Sequence, residues 1–185
     1  MESKAKLLGH PIHQMLVPFP FGLLATAAIL DVIYLWGGSI TMATVAYYMI
    51  IAGIVGGFVA APFGTIDWIA IPRGTRAKSV GLLHGLGNVF VLVLFGISAL
   101  LRYNGYTASL RHAPGMVPLA FSFAGFILAG VTGWLGGELV DRLGVGVDDG
   151  AHLDAPSSLS GSSARRLTAA TGPSGGGTRG TVKDP

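Results

Sequence analysis

Cysteine is missing from all 185 positions of the chain. That excludes disulfides, thiolate zinc centres, cysteine-ligated iron–sulfur clusters and covalently attached c-type haem. A metal or haem held here needs histidine, methionine or carboxylate ligands. Charge is scarce as well. Charged residues make up 11% of the chain, against about 25% in an ordinary soluble domain. The net charge is only +3, and the basic residues sit in short loops and a tail rather than along a helix, which excludes nucleic acid as a partner. No Ser-His-Asp arrangement, phosphate loop or HExxH motif occurs, which disfavours hydrolase or kinase chemistry of the soluble type. Whether the chain is an enzyme at all stays open at this stage.

Long apolar runs take the place of these features. Hydrophobic residues make up 51% of the chain, and the mean hydropathy is +0.62. Four runs stand out: about Met15 to Trp36, Ala43 to Ala61 with a continuation to Ile71, Val80 to Leu101, and Met116 to Val140. At a rise of about 1.5 Å per residue, each can cross a hydrocarbon core of about 30 Å as a helix. None alternates with period two, which argues against a membrane β-barrel. The first run exceeds the roughly 7–15-residue core of a signal peptide and no small-x-small site follows it, so we read it as a span. The expected fold is all-α: a polytopic membrane protein with a four-transmembrane-helix bundle. It has an N-terminal segment at 1–13, a helical domain at 14–147 and a disordered tail at 148–185. The tail is rich in Gly, Ser, Thr, Ala and Pro and cannot bury enough apolar surface to order itself.

Lys4, Lys6, Arg73, Arg76, Lys78 and Arg142 fall on one side of these spans, and only Arg102 and Arg111 on the other. The positive-inside rule then puts both termini in the cytoplasm of a multi-pass plasma-membrane protein. Trp36, Trp68, Trp134 and Tyr103 fall near span ends, as interfacial aromatics do. The lipid bilayer is the first partner the chain implies.

An ionisable group within a span is a functional hypothesis by default. The candidates are His10, His13, Asp31, Asp67, His84, Asn88 and Glu138. Asp31 falls near the outer end. His10 and His13 open the first helix, Asp67 follows a break expected at Pro62 at the end of the second, His84 lies one turn into the third, and Glu138 closes the fourth. These last groups share the cytoplasmic side. His13 to Asp67 spans 54 residues, and so does His84 to Glu138. At a shift of 71, Phe19 also matches Phe90 and Leu23 matches Leu94. The pattern suggests a bundle of two similar hairpins.

Three readings of this cluster compete. It fixes the helix ends structurally. Or His13 and His84, with His10 as alternate, ligate haem b or a metal ion, with Asp67, Glu138 and Asn88 orienting the imidazoles. Or it carries protons or a small solute. The glycine pairs Gly53–Gly57, Gly81–Gly85 and Gly133–Gly137 read first as close helix packing, second as room for a flat macrocycle. Pro11 suits a first helical turn. Pro18 and Pro20 leave the carbonyls of Gln14 and Leu16 without helical partners, so the segment is bent or the spanning helix starts near Pro18. Arg73, Arg76 and Lys78 read first as topology signals, second as a dock for an acidic partner or lipid headgroup.

The stretches "GHPIHQMLVPFPFGL", "IDWIAIPRGTRAKSVGLLHGLGN" and "GWLGGELVDRLGVGV" together resemble the bacterial membrane family called domain of unknown function 2231, over about residues 7–147. The resemblance implies a four-helix membrane protein with a His-Pro-x-His opening, matched by His10, Pro11 and His13. Relatives commonly read Pro at Gln14 and often His at Pro18, so a family ligand at the latter position would be missing here. Resemblance to partners or fusions of Rieske-type domains implies an iron–sulfur or other redox partner. The best sequence-level reading is a membrane-embedded binding or redox component with a histidine site. A non-catalytic structural or partner-binding subunit is the alternative, and a solute or proton carrier the third.

Overall fold

The computed structural model describes residues 1–109, 112–160 and 164. Arg111 therefore lies outside the described residues. So does most of the tail beyond Ser160; of the segment 148–185 expected to be disordered, residues 148–160 are described, with Asp148 paired to Lys6 and a helical turn at Ser158–Ser160.

A two-residue hairpin comes first: β1 (Lys6–Leu7) pairs antiparallel with β2 (His10–Pro11), Lys6 opposite Pro11. Leu8 and Gly9 turn the chain with positive φ, the conformation that glycine adopts without steric cost. Helix α1 (Ile12–Leu16) then forms, and α2 (Pro18–Gly37) restarts the helix one residue later. Val17 between them keeps helical dihedrals, so the two share one path of 26 residues. Both expectations for the prolines thus hold in part. Pro11 precedes α1 and Pro18 opens α2, where a missing N–H costs least. Gly38, with φ of 66°, closes α2 and donates its N–H to Tyr34, a left-handed helix end.

Helix α3 (Ile40–Ala70) starts at Ser39, whose hydroxyl accepts from the Met42 N–H, and runs through Pro62 without a break. Helix α4 (Arg76–Ser109) runs well past the expected end at Leu101. Helix α5 (Met116–Gly137) ends in a π-helical turn, Glu138–Arg142. Among the described residues, four segments are long and apolar enough to span a membrane: Ile12–Gly37, Ile40–Ala70, Arg76–Gly105 and Met116–Arg142. Large apolar side chains such as Phe58, Ile69, Phe90 and Ile127 face outward. In water that surface would be costly, and in lipid it is the favourable solvent contact.

Two helical hairpins, α1–α3 and α4–α5, pack side by side with α3 against α4 and α2 against α5. This leaves α2 and α4 diagonal across the middle. The buried centre is made of Leu24, Ala27, Ala46, Ile50, Val91, Phe95, Ala99 and Ala129. Small residues let the helices close in. A Cβ on Gly53 would lie 2.7 Å from Leu24, and one on Gly125 2.9 Å from Phe95. Gly57 and Gly81 likewise make way for Leu92 and Trp68, which favours the packing reading of these glycines.

Candidate functional site: a facing pair of imidazoles

His13 lies on the short α1, one turn before the Pro18 restart, and His84 lies two turns into α4. Their ring centroids are 6.4 Å apart and their planes are perpendicular at 88°. Each ring is tied back to the neighbouring helix of its own hairpin. His13 Nδ1 is 3.0 Å from the Ala60 carbonyl, and His84 Nδ1 is 2.8 Å from the Thr132 carbonyl. A carbonyl only accepts, so Nδ1 carries the proton in both rings. The neutral ring then has its lone pair on Nε2.

Glycine makes each position possible. A Cβ on Gly64 would lie 2.7 Å from His13 Cε1, and one on Gly136 3.2 Å from His84 Cε1. The two glycines that seat the imidazoles are thus Gly64 and Gly136, outside the spaced pairs read from the sequence. The readable signal was their place: Gly64 comes four residues after Ala60, and Gly136 four after Thr132.

Asn88 joins His84. Its amide Nδ2 sits 2.9 Å from the His84 carbonyl and 3.2 Å from His84 Nε2, and its Oδ1 accepts from Thr132 Oγ1 at 3.1 Å. In this arrangement Asn88 donates to the Nε2 lone pair. Of the other expected members, none reaches the two rings. Asp67 accepts from Ser3 Oγ at 2.7 and 2.8 Å, from the Lys4 N–H at 2.7 Å and from the Ala5 N–H at 3.3 Å. Its carboxylate is spent on capping the N-terminal segment, so it does not orient an imidazole. Glu138 pairs with Arg76 at 2.6 Å, because the loop after α3 brings that guanidinium over the end of α5. His10 is exposed on β2, near Ser158 Oγ at 3.3 Å. Of the two opening histidines, His13 is the one at the pair.

Around this end the polar groups are locked together. Lys6 bonds Asp148 and Glu2. The Asp148 hydrogen bond raises the Lys6 ammonium above its ordinary pKa against the opposing effect of burial, and Glu2 adds to the rise. Trp68 donates its indole N–H to the Lys78 carbonyl, while the Lys78 ammonium lies over the indole ring and donates to the Trp68 carbonyl. Two of the three loop cations are therefore engaged within the chain.

The second polar centre sits at the opposite end of the bundle and was only half anticipated. Asp31 was singled out, but Arg102 was counted as a loop residue. It lies inside α4 and donates to both Asp31 oxygens, at 2.9 and 2.6 Å. Neither side chain has any solvent exposure. Arg102 also reaches Ser98 Oγ at 3.2 Å and Ser122 Oγ at 3.1 Å, and Ser98 donates onward to the Pro118 carbonyl or shares a proton with Ser122. Neutralised this way, the guanidinium can sit inside a span, and α4 continues past it.

Four apolar helices around a small polar interior define a polytopic membrane protein. The family model described as "Predicted membrane protein (DUF2231)" matches residues 9–149. The chain belongs to that family. No curated protein and no solved structure gives a significant match.

Proposed function

We propose that this protein is a membrane-embedded binding component that takes a haem b or a metal ion between His13 and His84, at the end of the bundle that carries the N-terminus. The observation behind this reading is the 6.4 Å separation of the two rings. His13 and His84 would hold the group through their Nε2 lone pairs, at a usual metal–nitrogen distance of about 2.0–2.1 Å. Both Nδ1–H groups donate to carbonyls, as metal-ligating histidines usually require of their second nitrogen. Among the described residues no group of three or more His, Asp or Glu assembles. Any further ligands to a bound metal would have to come from outside this pair of side chains. A bound haem would supply one-electron chemistry. The chain's own part would be to hold two imidazoles with Nδ1 tied to a carbonyl, and to release Asn88 from His84 Nε2.

The finer placement follows the charge pattern: a plasma-membrane protein with both termini in the cytoplasm and the imidazole pair near that face. An iron–sulfur or other redox partner on that side fits the same reading. One observation favours the alternative of a non-catalytic structural subunit: His84 already has a protein partner at each nitrogen.

The two readings separate in one preparation. Protein purified from haem-sufficient cells should show a Soret band that is lost in both His13→Ala and His84→Ala and kept in His10→Ala. A colourless, metal-free and fully folded preparation would sink the cofactor reading and leave the structural one.

A further inference from the structure

We propose that the chain is a tandem of two equivalent hairpins related by a two-fold axis along the bundle, and that the Asp31–Arg102 pair on that axis specifies the pairing of one hairpin with the other. The inference stands on geometry at both ends of the molecule and does not depend on a cofactor.

The contacts repeat at a nearly constant shift. In the first hairpin the His13 ring bonds the Ala60 carbonyl and sits on Gly64, while Leu24 fills the space left by Gly53. In the second, the His84 ring bonds the Thr132 carbonyl and sits beside Gly136, while Phe95 fills the space left by Gly125. On the first helix of each hairpin the shift is 71: His13 to His84 and Leu24 to Phe95. On the second it is 72: Gly53 to Gly125, Ala60 to Thr132 and Gly64 to Gly136. Three separate contacts repeating with the same shift on each helix, 71 on the first and 72 on the second, is not a general property of helix packing. It is what a repeated unit produces, even where the residue types have diverged.

On such an axis, a residue meets its own equivalent. His13 meets His84 in this way. Asp31 and Arg102 are 71 apart and meet in the same way at the other end. Two copies of the first hairpin would therefore set Asp31 against Asp31, and two copies of the second Arg102 against Arg102. Buried like charges with no counter-ion are strongly disfavoured, so only the mixed pair closes. The surroundings have diverged to match. Ser98 and Ser122 serve the guanidinium, and their equivalents, Ala27 and Ile50, carry no hydroxyl.

The test reverses the charges in the full chain. Because the chain has no cysteine, Gly57→Cys with Leu92→Cys gives a clean cross-linking reporter of the α3–α4 contact between hairpins, where a Cβ on Gly57 would lie 2.7 Å from Leu92 Cδ2. In this background Asp31→Arg and Arg102→Asp should each lose most of the folded, cross-linked monomer. The double reversal should recover much of it. A second version adds Ala27→Ser, which supplies the relocated guanidinium with the hydroxyl that Ser98 gives Arg102. Recovery in either version supports the proposal. Failure of both versions to exceed the single variants overturns it, and so do single variants that fold and cross-link like the parent.

Discussion

Arg102 and Asp31 join diagonal helices through two parallel hydrogen bonds, in a pocket with no access to solvent. Each partner alone would be a bare charge inside an apolar bundle. Together, with Ser98 and Ser122, every direction of the guanidinium that the serines and the carboxylate cover is neutralised.

Removing one partner should therefore cost far more than removing both. Arg102→Ala leaves the carboxylate buried and unpaired, with an expected loss of about 3–5 kcal/mol. Asp31→Leu with Arg102→Met, which replaces the pair by apolar volume, should cost much less and can even stabilise. Unfolding of detergent-solubilised protein, followed by circular dichroism, measures the difference. Equal losses in the single and double variants would contradict this account.

The architecture was legible because hydropathy and helix length both act locally. The four spans and the shared end of His13 and His84 were readable by counting, although α4 runs past the expected end at Leu101. The partners of the polar groups were not. Arg102 read as a loop charge because an arginine is expected at a span end, whereas α4 continues past it and Asp31 meets it from the diagonal helix. Asp67 and Glu138 sit at the expected level, but each is captured by the nearest donor: the N-terminal segment in one case and Arg76 in the other. Nothing in residue spacing ranks those donors against an imidazole. The shift of 71 also relates Asp31 to Arg102, but only their contact makes that relation visible.

Gly64 and Gly136 test how far the imidazole positions depend on space. A methyl at Gly64 would meet three atoms of the His13 ring, at 2.7, 2.8 and 3.1 Å. Gly64→Ala should push the ring off the Ala60 carbonyl and cost about 1–3 kcal/mol as overpacking. Gly136→Ala meets His84 at 3.2 Å, so the expected effect is smaller. The nitrogen chemical shifts of the two rings in labelled protein report the displacement directly. Unchanged His13 shifts in Gly64→Ala would refute it.

Asp67 should be separable from the imidazole pair. Asp67→Asn removes a charged acceptor of three donors, Ser3 Oγ, Lys4 N–H and Ala5 N–H, where a hydrogen bond to a charged group is worth about 1.5–3 kcal/mol. The N-terminal segment should exchange its amide hydrogens faster over residues 3–7, while the His13 and His84 ring signals stay in place. Ring signals that move with Asp67→Asn would instead make the carboxylate part of the site.

His112 gives the fold a pH limit. It lies between α4 and α5, is 6% exposed, stacks on Tyr47 with centroids 4.2 Å apart and meets the edge of Tyr48. Burial, and secondarily the nearby Arg102 charge, hold its pKa below the ordinary histidine value of 6.5. The folded state thus keeps His112 neutral at a pH where the unfolded chain would bind a proton. The stability this contributes is present in full above the unfolded value. It declines as pH falls from about 6.5 toward the lower folded value, and below both it is gone. Thermal unfolding in detergent should therefore show a midpoint that drops on acidification below about pH 6.5. His112→Phe keeps an aromatic ring for the Tyr47 stack and removes the titration, so its midpoint should fall less over the same range. A variant that loses stability as steeply as the parent would assign the acid sensitivity to other groups.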